Sequence, residues 1–205
     1  RNDQALFPEY TGIRPEGAIA DCISSNDLSW SDTDSVLKLD LNWQPLKNSA
    51  DKISGQWASA YNKDTLYIVV SKKEANGSAT NVSPIAGIEV KIEPNRLYPA
   101  THFIFTPGYE NNEGDPVHII GYPLIYKAGL KELNEKGIWY AVARIPFKNI
   151  GLNAASLHPI RTDVIVKWHD KYWWNERSSW RPNNAITHRL ILGTDNPTDL
   201  GWLLF

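Results

Sequence analysis

The sequence predicts an all-β fold: an antiparallel sandwich or barrel, most simply two packed sheets, with very little helix. Three observations carry this reading. Apolar residues come in short runs that alternate with period two, the pattern of half-buried strands. Turn formers are plentiful, with 13 Gly and 13 Pro, and one segment alone hints at a helical turn. At 205 residues the chain suits one domain with a two-layer core.

The elements follow in chain order. "VLKLDLNW" (Val36 to Trp43) alternates Leu37, Leu39, Leu41 and Trp43 against Lys38, Asp40 and Asn42, which predicts a half-buried strand. "GQWASAYNKDTLYIVVS" reads as a hairpin turning at Asn62, Lys63 and Asp64. "GIEVKIEP" sets Ile88, Val90 and Ile92 against Glu89, Lys91 and Glu93 on a solvent-facing side, and proline ends the strand. "THFIFTPG", "PVHIIGYPLIY", "GIWYAVARIPF", "TDVIVKWHD" and "HRLILG" supply five more strands. "AGLKELNEKG" is the helical hint, closed by Gly137, and "FKNIGLN" suits a short helix or 3₁₀ turn.

Bulk composition excludes more than it selects. A net charge of -2 leaves no basic footprint for nucleic acid or an anionic membrane surface, and no apolar stretch is long enough to span a bilayer as a helix. The single cysteine, Cys22, allows no internal disulfide. With no methionine, axial methionine ligation of haem is excluded. Asn76 and Asn81 begin glycosylation patterns that arise often by chance.

Nine tryptophans stand out, and "KWHDKYWWNERSSWRPNN" concentrates five aromatics beside Asn175, Glu176, Arg177 and Arg181. Trp supplies a flat apolar surface for either a core or a binding platform. The C–H face of a sugar ring matches such a surface. Its rim of hydroxyls matches planar, multidentate side chains, and arginines suit an acidic sugar. Trp168, on a strand, is expected in the core, as are Trp30, Trp43, Trp57, Trp139 and Trp202. Of the neighbours Trp173 and Trp174, one faces in and one out. Trp180, followed by Arg and Pro in a loop, is expected to be exposed and to contact ligand.

The order of segments resembles the family 9 carbohydrate-binding modules. "GAIADCISSNDLSW" is similar to the family's opening and "WASAYNKDTLYIVVSKKE" to its hairpin. "GIWYAVARIPFKNIGL", "IRTDVIVKWHD" and "SSWRPNNAITHRLILG" are similar to its last third. The likeness covers about Gly12 to Gly193, leaving 1–11 as an arm and 194–205 as a tail on a single domain, 12–193 being the module-like core.

That resemblance implies a jelly-roll β-sandwich that binds a saccharide without catalysis. It implies secretion or periplasmic export from a bacterium, and attachment to or association with a polysaccharide-degrading enzyme. Trp180 matches the family's aromatic wall before the last strand, and Glu89 a polar contact on the strand after the hairpin. The opposing wall falls in "NVSPIAG", which has no Trp, and the family's Arg and Asn positions fall on Ile104 and Thr106. A substitute wall from Trp173 or Trp174 would face Trp180 across roughly 7 Å, two stacking distances. Some relatives carry structural calcium, for which Asp32 and Asp34 in "SDTDS" are the candidate ligands; no other cofactor is implied.

Two competing readings follow from the residues. The missing wall favours a sandwich interaction or spacer module without a sugar site. A polysaccharide-acting enzyme would need paired titratable groups, such as Asp170 with Glu176 or the set in "HDKY". The five His are too scattered to mark a zinc site. No nucleophile, phosphate or dinucleotide motif is present.

Overall fold

The computed structural model describes residues 17–29, 32, 34–73, 84–93, 101–105, 113–119, 122–127, 130–135, 137–169, 176–181 and 200–205; for 113–119, 122–127, 134–135 and 176 it describes the backbone alone. The strands are β1 (Ile19–Asp21), β2 (Ile23–Ser24), β3 (Gln44–Asn48), β4 (Ile53–Tyr61), β5 (Thr65–Lys73), β6 (Ile85–Glu93) and β7 (Thr101–Phe105). They continue as β8 (Glu113–Ile119), β9 (Tyr122–Lys127), β10 (Leu130–Glu135), β11 (Ile138–Pro146), β12 (Ile160–Trp168), β13 (Glu176–Ser179) and β14 (Gly201–Leu204). A four-residue helix α1 (Asp34–Leu37) and two 3₁₀ turns, Phe147–Ile150 and Ala154–Ser156, complete the regular structure among the described residues.

Hydrogen bonding runs continuously in the order β10-β11-β5-β4-β3-β13-β12-β6-β7-β9-β8. The short contact between β3 and β13 joins two layers that face each other across one core. Leu46, Trp57, Leu66, Ile68 and Val70 come from the first layer. Ile88, Val90, Phe103, Val164, Val166, Trp168 and Trp180 come from the second. Ring contacts cross between layers: Trp57 with Trp180 at 5.0 Å, and Trp139 with Trp168 at 6.2 Å. Trp168 also covers Gly55, where a Cβ would lie 2.8 Å from the ring. The sandwich is therefore closed by large rings laid over a residue without a side chain.

The central strands pair antiparallel, as expected, but β1 with β14, β2 with β4 and β7 with β9 pair parallel. The predicted hairpin is present as β4 and β5. Its turn is held by the Asn62 side chain, which accepts from the backbone N–H groups of Asp64 and Thr65 at 3.1 and 2.9 Å. The 3₁₀ turn at Phe147–Ile150 also appears, capped by Gly151 in the left-handed region at φ 69.

Other expectations are corrected. Val36 to Trp43 is not a strand but α1 followed by irregular chain, because its apolar residues serve a different surface. Val36 and Leu41 are buried, with Leu37, Leu39 and Trp43 packed beside them, against Ala58, Ala60, Val69 and Val142 on the outer face of the first layer. The "AGLKELNEKG" segment forms β10 rather than a helical turn; Gly137, at φ 76, makes the turn into β11. Cross-strand pairing overrides the local helical preference there. "PVHIIGYPLIY" divides into β8 and β9. The last expected strand, "HRLILG", lies outside the described residues, as does the 1–11 arm.

The C-terminal stretch is not a tail in its final residues. β14 pairs with both β1 and β12, and Leu203 is fully buried. The apolar "GWLLF" closes an edge that β12 would otherwise expose.

Candidate functional site

One sheet face gathers most of the buried polar chemistry among the described residues. Period-two geometry sends Ile88, Val90 and Ile92 of β6 into the core and Glu89, Lys91 and Glu93 to the opposite face. The register sets Asp163 of β12 beside Lys91, with His102 of β7 on its other side. Ile165 stands beside Glu89, Lys167 beside Gly87, and Ser179 and Arg177 of β13 opposite Ile165 and Lys167.

This face is not solvated as expected. Glu89 is 8 % exposed, Lys91 and His102 7 %, Glu93 4 % and Asp163 0 %. Burial on this scale disfavours charge unless partners are supplied. They are supplied. His102 Nδ1 lies 2.8 Å from Glu89 Oε1. Burial is the largest single influence on Glu89 and pushes its pKa up. The His102 hydrogen bond and charge, with the charges of Lys91 and Lys167, outweigh it and hold the carboxyl below its ordinary value. Lys167 is held below the usual lysine range, first by burial and then by the charge of Arg177, against the pull of Glu89. Asp163 Oδ1 accepts from the backbone N–H groups of Val164 and Arg181 at 2.9 and 3.0 Å.

On this face Asp163, Lys91 and His102 are buried, whereas the cations Arg161, Lys167, Arg177 and Arg181 are half-buried.

Trp180 overturns the expectation of an exposed sugar wall. It is 7 % exposed and packs in the core, with its ring tilted 66° against Trp57. The sequence reads this stretch as loop, but β13 continues the sheet: Trp180 N donates to Val164 O at 3.0 Å. Alternation then turns Ser178 and Trp180 inward and Arg177, Ser179 and Arg181 outward. Glu89 corrects a second expectation, being a buried and hydrogen-bonded group rather than a surface carboxylate.

Trp173, Trp174 and Asn175 lie outside the described residues, as do Asp170 and Trp30. Of the described tryptophans, Trp43 alone is more than slightly exposed; it sits on the outer face of the first layer, its ring 6.5 Å from that of Tyr140. Lys91, His102, Asp163 and Lys167 were missed as site residues. Strict alternation places Lys91, Asp163 and Lys167 on the Glu89 side of their strands, but it does not say that this side is buried.

Among the described residues no three His, Cys, Asp or Glu side chains gather as a metal-ligand set. Of the candidate calcium residues, Asp34 opens α1, and the backbone carbonyl of Asp32 accepts from Ser35 Oγ at 2.6 Å. A cleft of about 420 Å³ lies beside the β4–β5 turn, lined by Asp64, Phe147, Lys148 and Asn153. None of the expected site residues lines it.

The two layers close over one core as a β-sandwich. Two solved structures make the comparison particular: a family 9 carbohydrate-binding module from Caldicellulosiruptor kristjanssonii in complex with glucose, and one in complex with cellotriose. The first is 11 % identical with a TM-score of 0.53, over 91 % of this chain and 95 % of that one. The second is 13 % identical with a TM-score of 0.55, over 91 % and 93 %. No family model and no curated protein sequence matches the chain. The chain has a family 9-like fold; at these identities the likeness speaks to the fold. No helix among the described residues is long and apolar enough to cross a membrane.

Proposed function

We propose that this chain is a non-catalytic module that recognises a saccharide through the polar face of its second layer. The observation that carries the reading is the buried Glu89–His102 pair, flanked by Lys91 and Lys167, at the strand position where the family resemblance expects a polar sugar contact. A carboxylate already held by neighbours accepts hydroxyl hydrogen bonds without paying again for its orientation. Arg177 and Arg181, outward-facing beside it, add planar donors. Trp173, Trp174 and Asn175 belong to the connection from β12 to β13, and this reading assigns them ring stacking and amide contact. Binding by one such face is weak alone and gains by attachment to a polysaccharide-degrading enzyme, in an extracellular or periplasmic setting.

The test is calorimetric titration of wild type and Glu89→Gln with a panel of mono- and oligosaccharides, glucose and cellotriose included. Saturable binding that falls at least about tenfold in the variant supports the reading. Silence across the panel, with a native circular dichroism spectrum, sinks it. The burial of Trp180 favours one alternative, an interaction or spacer module in which the aromatic-rich segment serves the core. Silence in the titration would leave that reading standing.

A further inference from the structure

The outer face of the first layer, across the core from Glu89, carries an aromatic pair that the polar face does not use. β11, β5, β4 and β3 are consecutive in the sheet, so Tyr140 of β11 and Trp43, the residue before β3, start about 14 Å apart, or three strand spacings. Their ring centroids are 6.5 Å apart, with planes inclined at 45°. Each side chain therefore leans along the sheet toward the other, packing on the cluster that holds Ala58, Val69 and Val142. Trp43 is anchored on both sides in the chain: Gln44 Nε2 donates to Asn42 Oδ1 at 2.8 Å, and that oxygen also accepts from the Asp21 backbone N–H at 3.2 Å.

The row of outward positions beside the pair is uncharged. Pro45, Gln56, Ser71, Tyr140 and Leu133 are directly opposed in turn across β3, β4, β5, β11 and β10, a span of about 19 Å. Lys73 and Lys131 stand one row to either side. Pro45 and Gln56 are exposed, and Trp43, Tyr140 and Leu133 are half-buried. The protein does not complete the polar groups here. The buried Ser71 hydroxyl makes no hydrogen bond. Among the described residues, neither do the Trp43 indole N–H, the Tyr140 hydroxyl and the Gln56 amide. A face that served the fold alone would pair a buried hydroxyl or replace it. Partly bare rings beside unpaired hydroxyl, indole and amide groups match the C–H face of a pyranose and its rim of hydroxyls. The absence of charge in the row selects a neutral ligand, and its length selects a chain over a single ring.

We propose that this row is a second saccharide surface, on which a neutral polysaccharide chain stacks across Trp43 and Tyr140 while Gln56 and the Tyr140 hydroxyl bond its hydroxyls. The inference goes beyond the reading above and does not depend on Glu89. Because the core separates the two faces, they bind independently, and one module holds two chains.

The experiment titrates the whole chain with cellohexaose and xylohexaose, by calorimetry and by tryptophan fluorescence. In Glu89→Gln, hexaose binding persists and shifts the emission to the blue, because the half-exposed Trp43 ring becomes covered. Adding Trp43→Ala to that variant weakens the remaining affinity at least about tenfold. Adding Gln56→Ala instead weakens it about threefold, one exposed hydrogen bond being lost. Gln56 is an exposed side chain, so its variant decides the matter even where Trp43→Ala folds poorly. Hexaose binding that disappears in Glu89→Gln, or that both outer-face variants leave unchanged, would overturn this inference and leave the Glu89 site standing. Hexaose binding indifferent to Glu89→Gln but weakened by Gln56→Ala would uphold it and sink the Glu89 reading. Binding of neither hexaose would overturn it outright.

Discussion

The Trp180 ring meets Trp57 at 5.0 Å between centroids, tilted 66°, so that the residue most like a sugar-stacking wall is a pillar between the two layers. Gly201 of β14 lies beneath it: a Cβ there would come within 2.4 Å of the ring. β4, the end of β13 and β14 are thus tied through one side chain.

Trp180→Ala should destabilise the fold by about 3–5 kcal/mol, the cost of a large core cavity. Gly201→Ala should cost about 1–3 kcal/mol by overpacking. Urea unfolding followed by far-ultraviolet circular dichroism measures both. In the double variant the Gly201→Ala cost should shrink, because the ring it strikes is gone. An unchanged midpoint for Trp180→Ala would contradict the packing.

Ser178 links the layers by hydrogen bonds. Its Oγ accepts from Trp168 Nε1 at 2.9 Å and is bonded to Ser54 Oγ. Ser178→Ala should cost about 1–3 kcal/mol by leaving a buried indole N–H without its partner. Ser54→Ala, which keeps the Trp168 bond, should cost less. Equal costs would show that the indole contact contributes little.

The Glu89–His102 pair makes stability depend on acid. Because the folded pKa of Glu89 lies below its ordinary 4.5, its contribution is fully present above that value and is lost as pH falls through the folded pKa. Glu89→Gln should therefore be less stable than wild type at pH 7, with the two converging as pH drops below about 4.5. Unfolding free energies at four pH values between 7 and 3 decide this; parallel curves would mean that Glu89 contributes no linkage.

Cys22 should be inert in the native state. Burial pushes its thiol up to about 12. A disulfide reagent at pH 8 should modify it at least about 100-fold more slowly in the native protein than in urea. Rapid native labelling would reveal local opening of β1 and β2.

Strand existence was legible because period-two alternation is local: the β4–β5 hairpin, β6 and β11 can be read from single stretches of chain. Two segments misled. Val36 to Trp43 alternates like a strand, yet its leucines pack onto the outer face of another sheet without joining it. Leu130 to Glu135 carries helix-forming residues, yet β11 offers it a complete ladder of backbone partners. The site was less legible than the fold. Alternation sets Glu89, Lys91 and Glu93 apart from Ile88, Val90 and Ile92, but both faces of that strand are buried.

The chain by itself determined the all-β class, the hairpin, the side of each strand a residue takes, and the concentration of aromatic and planar polar groups near its last third. Tertiary structure alone decided three things. It decided that β13 extends the sheet and so turns Trp180 into the core, that the C-terminal "GWLLF" ends as a strand between β1 and β12, and that Lys167 stands against Arg177. Each depends on which strands become neighbours. Pairing joins segments far apart in sequence, and no local periodicity encodes it.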